Sequence, residues 1–233
     1  QSAGGFGGAV RELISLLHVD TMNILGQTLE DRLSEPLEWV DRKVIRSFDD
    51  PISPQGGLIA LSGNIAPQGA IFKRAAATPS LFESEGRAIV FENVEDLANR
   101  IDDPELDITE GDIMVLKNAG PVAAGMPEAG YLPIPKKLAR AGVKDIVRIS
   151  DARMSGTAFG TIVLHIAPET ARGGPLASVQ TGDRIRLSVK EKSIELLVDD
   201  EEIARRLADY RSPALPPRGY RGLYARMVTQ APE

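Results

Sequence analysis

The stretch 182–200, "GDRIRLSVKEKSIELLVDD", decides the fold because polar and apolar residues alternate along it. Its apolar residues recur at every second position on both sides of a charged segment: Ile185, Leu187, Val189, Ile194, Leu196 and Val198. A period of two places these side chains on one face of an extended chain. The stretch therefore predicts a β-hairpin with one buried face.

Similar short strands are predicted along the rest of the chain after Leu58. They cover "GLIALSGNIAP" (57–67), "GRAIVFEN" (86–93), "GDIMVLKNAGP" (111–121) and "DIVRI" (145–149). Helices are expected at "VEDLANRID" (94–102), "IPKKLARAG" (134–142) and "DDEEIARRLADY" (199–210). The strands are separated by glycine and proline and do not alternate regularly with helices. A compact, β-rich α/β barrel or sandwich with a few outer helices fits this pattern better than a doubly wound sheet.

The first part of the chain has a different texture. A glycine-rich loop at 3–18 passes into an amphipathic segment, but it lacks the GxxxxGK[ST] pattern of a phosphate-binding loop. The apolar positions of that segment are Val10, Leu13, Ile14 and Leu17. We expect a helical segment and loop over 1–57 that leads into a barrel-like domain over 58–233. The proline- and arginine-rich tail after Ser212 is expected to lie on the surface.

Composition excludes several classes of function. With 33 acidic and 27 basic residues, a formal charge of −6 and no basic run, the chain is not expected to bind nucleic acid. It has no cysteine, so its own residues offer no thiolate to a zinc ion or an iron–sulfur cluster. No apolar run is long enough for a membrane span and no secretory signal pattern is present. We therefore expect no membrane association and a cytoplasmic location.

The segment "DARMSGTAFGT" (151–161) is the first candidate site. Ser155 and Thr157 offer hydroxyls, and Gly156 permits a tight turn with close backbone approach by an oxygen-rich ligand. The alternative is a turn of small residues whose hydroxyls cap the following segment, and spacing alone favours that alternative. A serine hydrolase is disfavoured because Arg153 and Thr157 occupy the glycine positions of the G-x-S-x-G motif.

Glu128 is the second candidate, as the only charged residue between Lys117 and Lys136. It lies in a loop of glycine, alanine and proline, where a lone carboxylate is usually solvated. His165 lies in an apolar run and is interpreted as a hydrogen-bonded core histidine rather than a base or a metal ligand, and His18 is interpreted in the same way.

The run 111–184 resembles the C-terminal domain of the dihydroxy-acid and sugar-acid dehydratase family. "LSGNIAPQGAIFK" (61–73) and "AGGFGGAVRELISLLH" (3–18) resemble the stretches that precede it in those enzymes. The forms "KNAGP" (117–121) and "ISDARMSGTA" (149–158) are more similar to the sugar-acid branch, which acts on arabinonate- and xylonate-like acids. The resemblance implies a swivelling β/β/α barrel-like domain with outer helices.

The resemblance also implies a reaction. Members of the family remove water from a 2,3-dihydroxy acid to give a 2-keto-3-deoxy acid, using an iron–sulfur cluster and Mg²⁺. By motif, Ser155 matches the base that takes the C2 proton, Thr157 and Gly156 lie near the substrate, and Glu128 matches a carboxylate that reaches the magnesium. A serine hydroxyl is too weak a base at neutral pH without nearby positive charge, so the surroundings of Ser155 must supply that charge.

In the family, the cluster cysteines and most magnesium ligands belong to an N-terminal domain. We therefore expect this chain, which begins at Gln1, to be the C-terminal part of a longer enzyme and to bind neither cofactor stably alone. Its expected partners are that N-terminal domain, a small-molecule sugar acid and further copies in a homo-oligomer. The alternative is a non-catalytic binding or interaction module that retains the fold. The presence of both Ser155 and Glu128, expected at one rim of the barrel, favours the enzyme.

Overall fold

The computed structural model describes residues 2–124, 132–156 and 158–233. The described residues up to Gln55 form one compact unit, and those from Gly56 onward form a second. No helix of the described residues is long and apolar enough to cross a membrane.

The first unit contains two α-helices, α1 (Gly5–Glu12) and α2 (Leu29–Ser34), and a single 3₁₀ turn at Ile14–Leu16. Helix α1 is shorter than predicted, because regular helix ends before Leu13. Of the predicted apolar stripe, Val10 is buried whereas Leu13, Ile14 and Leu17 remain exposed. Without a packed face to stabilise it, an amphipathic segment of this length gains little from remaining helical.

The second unit is a closed barrel of eight strands among the described residues. The strands are β1 (Ile59–Gly63), β2 (Ala66–Phe72), β3 (Glu83–Phe91), β4 (Ile113–Leu116), β5 (Val147–Ser150), β6 (Ile162–Leu164), β7 (Arg184–Ser188) and β8 (Ser193–Leu196). Around the barrel their order is β1-β2-β6-β5-β4-β3-β7-β8. The β-rich barrel prediction is thereby confirmed, and the sandwich alternative is wrong because the sheet closes on itself.

The hairpin predicted over 182–200 is present as β7 and β8. Ile185 lies opposite Leu196, and Leu187 lies opposite Ile194, so the alternating apolar residues share one face. The single strand predicted over 57–67 is instead two strands, β1 and β2, joined by a tight corner at Asn64. The Asn64 side chain accepts a hydrogen bond from Leu196 N (2.8 Å) and donates one to Leu196 O (2.8 Å). Where the chain reverses, the Asn64 side chain thus makes the two hydrogen bonds to Leu196 that a neighbouring strand would otherwise make.

All eight strands contribute to one buried apolar cluster, which therefore fills the barrel interior. A second cluster lies on the other face of the parallel strands, beneath α3 (Val94–Arg100) and α5 (Lys136–Arg140). In β4, Ile113 and Val115 belong to the inner cluster and Met114 and Leu116 to the outer one. Strands buried on both faces read as continuous apolar runs, which is the pattern in this part of the sequence.

The described residues of the second unit also form the α-helices α4 (Pro121–Ala124), α6 (Asp200–Asp209) and α7 (Gly219–Met227). Helix α6 was predicted, with its acidic first turn, but α7 was not, because the tail after Ser212 was predicted only to lie on the surface. Its two glycines are poor helix formers. Gly222 is nonetheless required by packing, since a Cβ there would lie 2.6 Å from Pro216 O.

The strands β3, β4, β5 and β6 are parallel neighbours, which fixes where the following loops lie. The carboxyl ends of parallel strands meet at one edge of a sheet, and binding sites commonly form there. We call this edge of the barrel the carboxyl rim. The segments that leave it begin at Glu92, Lys117, Asp151 and His165.

We predict that Gly63→Ala weakens closure of the barrel. Gly63 lies where β1 meets β8, and a Cβ there would lie 1.8 Å from Ile194 O. The free energy of unfolding, measured with urea, should fall by about 1 to 3 kcal/mol, as for other overpacked positions. Gly111→Ala is the matched control, because nothing lies within 4 Å of its added Cβ. Equal stability of the two variants would contradict the prediction.

Candidate functional site

Ser155 lies in the connection between β5 and β6, residues 151–161, which we call the serine loop. Because β5 and β6 are parallel neighbours, this loop leaves the carboxyl rim and returns to the opposite edge of the barrel. The side chain of Ser155 is half-buried, and its carbonyl accepts a hydrogen bond from Ala158 N (3.2 Å), which closes a tight turn. Contacts at both ends of the loop hold this turn.

Asp151 anchors the start of the loop from a fully buried position. Its carboxylate accepts hydrogen bonds from Ala119 N (2.9 Å) and Thr170 N (2.8 Å). Burial raises the pKa of Asp151 to about 6, although the hydrogen bonds from Thr170 and Ala119 act in the opposite direction. One side chain therefore joins the serine loop to the segments that follow β4 and β6.

Glu169 provides a second buried carboxylate at the same rim and is 1% exposed. It accepts hydrogen bonds from Val122 N (3.0 Å) and Ala123 N (3.3 Å), in the first turn of α4. Gly120 is required beside it, since a Cβ would lie 2.4 Å from Glu169 Oε2. The "KNAGP" motif thus surrounds the buried side chain of Glu169, and main-chain N–H groups donate hydrogen bonds to its carboxylate.

The C-terminal tail is tied to the same glutamate. Gln230 Nε2 donates to Glu169 Oε1 (2.7 Å), and Gln230 Oε1 accepts from Glu169 N (2.8 Å). This two-point pair brings the chain beyond α7 to the carboxyl rim. A surface tail alone would not be expected to make such a contact.

His165 holds the backbone just before Ser155. Its ring Nε2 accepts a hydrogen bond from Met154 N (3.0 Å), and its main-chain N–H donates to Ala152 O (2.9 Å). Burial lowers the pKa of His165, and the positive charge of Arg153 lowers it further, so the ring stays neutral and keeps its acceptor. Since Met154 already occupies that acceptor, His165 is not placed to act as a base on Ser155, and the structure gives the serine hydrolase alternative no support.

Lys73, the residue after β2, holds the backbone just beyond Ser155. Its ammonium donates to Gly156 O (2.8 Å) and to Ala158 O (3.1 Å). The turn is therefore held by the neutral ring of His165 before Ser155 and by the ammonium of Lys73 after it.

The returning end of the loop rests on a buried ion pair between Asp145 and Arg148 (2.8 Å), each with a 6% exposed side chain. Arg148 donates to Phe159 O (3.1 Å), and Asp145 accepts from Thr161 N (2.9 Å). Burial by itself would raise the pKa of Asp145, but hydrogen bonds from Thr78 and Thr161 and the charge of Arg148 outweigh it and lower the pKa. Both ends of the serine loop are thus fixed by buried polar groups.

A pocket of about 350 Å³ opens at the carboxyl rim. It lies between the "KNAGP" segment, the serine loop and the C-terminal tail, and is lined by Ala119, Gly120, Pro121, Arg153, His165, Tyr224, Val228, Thr229, Gln230 and Ala231. Its wall combines apolar surface with a few polar groups, as is typical of small-molecule sites.

The structure describes two of the four predicted site residues. Ser155 and Gly156 lie in the held turn, whereas Thr157 and Glu128 lie outside the described residues. The expected convergence of the Ser155 and Glu128 motifs therefore stays a prediction. His165 is half-buried and hydrogen-bonded, as it was interpreted, but its ring also lines the pocket.

Four residues of the site were not singled out from the sequence: Lys73, Asp151, Glu169 and Gln230. Lys73 and Asp151 lie within motifs that were noted, at the end of "GAIFK" and in "SDARMSG", and Glu169 lies within the resembling run 111–184. An acidic residue directly after a buried strand was the available signal for Asp151. No pattern distinguished Gln230 from other tail residues.

The described residues do not by themselves fit the cofactors that the resemblance implies. Among residues 2–124, 132–156 and 158–233, no three His, Asp or Glu side chains are grouped so that they could hold a metal ion. The 233-residue chain also has no cysteine to bind a cluster.

The barrel and its carboxyl-rim pocket, beside the loop that carries Ser155, define the class of domain: a closed β-barrel with a pocket at one rim. Residues 43–233 match the family described as the dihydroxy-acid/6-phosphogluconate dehydratase C-terminal domain. The chain belongs to this family.

Comparison with individual proteins gives the same result. The chain is 44% identical over 233 residues to L-arabinonate dehydratase from Rhizobium leguminosarum, covering 98% of the chain and 40% of that protein. It is 45% identical to 6-deoxy-6-sulfo-D-gluconate dehydratase from Pseudomonas putida, with 99% of the chain and 41% of that protein covered. Identity to a dihydroxy-acid dehydratase from Acetivibrio thermocellus is 35%, over 99% of the chain and 42% of that protein. The chain thus spans about 40% of the length of these relatives.

The buried Asp151 predicts a pH dependence of stability. Because its folded pKa of about 6 lies above the ordinary value of 3.8, the folded state holds the extra proton between these two values. The contribution of Asp151 to the free energy of unfolding is then largest at low pH and is lost as the pH rises through 6.

This dependence can be isolated by comparing the wild type with Asp151→Asn, whose side chain does not titrate. Urea unfolding of both proteins between pH 4 and 8 gives the difference in free energy of unfolding at each pH. The wild type should lose stability relative to the variant as the pH rises towards 7, with the steepest change below 6. A constant difference across the range would show that Asp151 has an ordinary pKa in the folded protein.

Proposed function

We propose that this domain supplies the catalytic base of a sugar-acid dehydratase, which converts a 2,3-dihydroxy acid into a 2-keto-3-deoxy acid. The observation that carries the proposal is the serine turn, held by His165 before Ser155 and by Lys73 after it, next to the rim pocket. A turn that served only as a connection would not need both contacts. The similarity to L-arabinonate dehydratase and 6-deoxy-6-sulfo-D-gluconate dehydratase favours a sugar acid over a branched-chain acid as substrate.

In the proposed reaction, Ser155 Oγ takes the proton from C2 of the substrate. The electron pair of the broken C2–H bond forms the C2–C3 double bond as the C3 hydroxyl departs, so that the net loss is one molecule of water. The resulting enol then becomes the 2-keto-3-deoxy acid. Positive charge from Lys73 and Arg153 near the loop favours the deprotonated serine that this step needs.

The rest of the proposed enzyme would carry the groups that this chain lacks. Chain coverage of about 40% in the relatives leaves room for an N-terminal domain. We propose that this domain binds the iron–sulfur cluster and most of the magnesium ligands, which would supply Lewis-acid chemistry at the substrate oxygens. Glu128 would add a carboxylate, and Thr157 a hydroxyl near the substrate. The swivelling of the barrel domain that the resemblance implies is part of the same proposal.

The test is Ser155→Ala in the full-length enzyme. Loss of a general base should reduce turnover of L-arabinonate by about 10²- to 10⁴-fold. The melting temperature and the iron content should stay at the wild-type values, because only one half-buried hydroxyl is removed.

Ser80→Ala serves as the matched control, since Ser80 is an exposed serine of the same unit. Its turnover, melting temperature and iron content should equal those of the wild type. Near-normal turnover of a folded, iron-containing Ser155→Ala enzyme would assign the base to another residue.

A further inference from the structure

We propose that Lys73 is a positioning residue for Ser155, whose ammonium holds the serine turn in place and supplies positive charge beside the serine. This inference rests on the function proposed above and adds to it the group in this chain that makes the serine a competent base. It concerns a residue of the "GAIFK" segment to which the family resemblance assigns no role.

The Lys73 ammonium binds two carbonyl groups of the serine turn. Lys73 Nζ lies 2.8 Å from Gly156 O and 3.1 Å from Ala158 O, so one ammonium joins two carbonyls of the same short turn. Gly156 directly follows Ser155, and Ala158 N in turn donates to Ser155 O (3.2 Å). Moving the ammonium would therefore release the two carbonyls that shape the turn around the serine.

The group that binds the turn is a cation, although a neutral donor could also bind two carbonyls. At the rim, for example, neutral main-chain N–H groups bind the carboxylates of Asp151 and Glu169. A positive charge bound to the backbone beside Ser155 would also favour the alkoxide, because a nearby opposite charge favours the charged form. Lysine supplies both functions from one side chain.

The barrel sheet fixes the position of the Lys73 backbone. It follows directly on β2, whose residues Ile71 and Phe72 pair with Leu164 and Val163 of β6. Phe72 is fully buried in the barrel interior. The sheet therefore fixes the backbone of Lys73. The serine loop ends where β6 begins, so the strand that pairs with β2 also places this loop near the lysine ammonium.

The other ionisable groups around the loop make different contacts. On the loop itself, Arg153 is a second cation, and it lines the rim pocket. Beyond β6, His165 is neutral and accepts a hydrogen bond. Before and on β5, Asp145 and Arg148 neutralise each other in a buried pair. Among these described groups, Lys73 is the cation that directly binds the turn containing Ser155.

The experiment uses the full-length enzyme with Lys73→Met, which keeps the length of the side chain but removes its charge, and Lys73→Arg, which keeps the charge. Lys190→Met is the matched control, because Lys190 is exposed in the β7–β8 turn. Each variant is characterised by its melting temperature, by amide hydrogen exchange of residues 150–161 and by the pH profile of kcat/KM for L-arabinonate.

Lys73→Met should remain folded, show at least about tenfold faster exchange in the serine loop, and move the ascending limb of the pH profile upward by about one pH unit. Lys73→Arg should keep the limb within a few tenths of a unit of the wild type, and Lys190→Met should match the wild type in every measurement. A merely structural lysine would change the exchange but leave the limb unmoved, and that result overturns the proposal. Unchanged exchange in Lys73→Met overturns it as well.

Failure of this inference is distinguishable from failure of the proposed function. If Ser155→Ala abolishes turnover while Lys73→Met leaves the limb in place, the serine is the base and Lys73 does not assist it. If Ser155→Ala turns over normally, the function assigned to the serine is wrong, and the inference about Lys73 falls with it.

Discussion

Two buried carboxylates that bind main-chain N–H groups hold the carboxyl rim of this domain together. Asp151 accepts from Ala119 and Thr170, and Glu169 accepts from the first turn of α4. A buried carboxylate without such donors would strongly destabilise the fold. Without the carboxylates, the buried N–H groups of these loops would in turn lack hydrogen-bond acceptors. Each group therefore satisfies the other, and three of the four segments that leave the carboxyl rim, those after β4, β5 and β6, are joined to one another.

The barrel supplies the geometry that makes this possible. Four parallel strands place the starts of their loops at one rim, so residues far apart in sequence come within hydrogen-bond distance. The serine loop must then cross to the opposite edge to begin β6. It is consequently anchored at the rim by Asp151 and His165, and on its return by Lys73 and the Asp145–Arg148 pair. Ser155 lies between these two sets of anchors.

Local pattern predicted much of the architecture. The β7–β8 hairpin, the strands β3, β4 and β5, and the helices α3, α5 and α6 follow from periodicity, turn residues and capping charges, which act over a few residues. The corner at Asn64 was missed because it depends on the main chain of Leu196, on a strand more than 130 residues away. Helix α7 was missed because it contains two glycines, which are poor helix formers, and one of them, Gly222, is required by packing against Pro216.

The sequence by itself determined the alternation that makes a barrel, the serine within a tight turn, and the absence of any thiolate ligand. It also carried the motifs through which the family could be identified. Only the tertiary structure decided which polar residues work together. Among many acidic side chains in loops, Asp151 and Glu169 are distinguished by burial and by main-chain donors from other segments. The same is true of Lys73 and His165, whose importance comes from the turn they clasp and not from the residues beside them in the chain. Hydrogen bonds between distant segments depend on how the strands are ordered around the barrel, and no local pattern of residue types encodes that order.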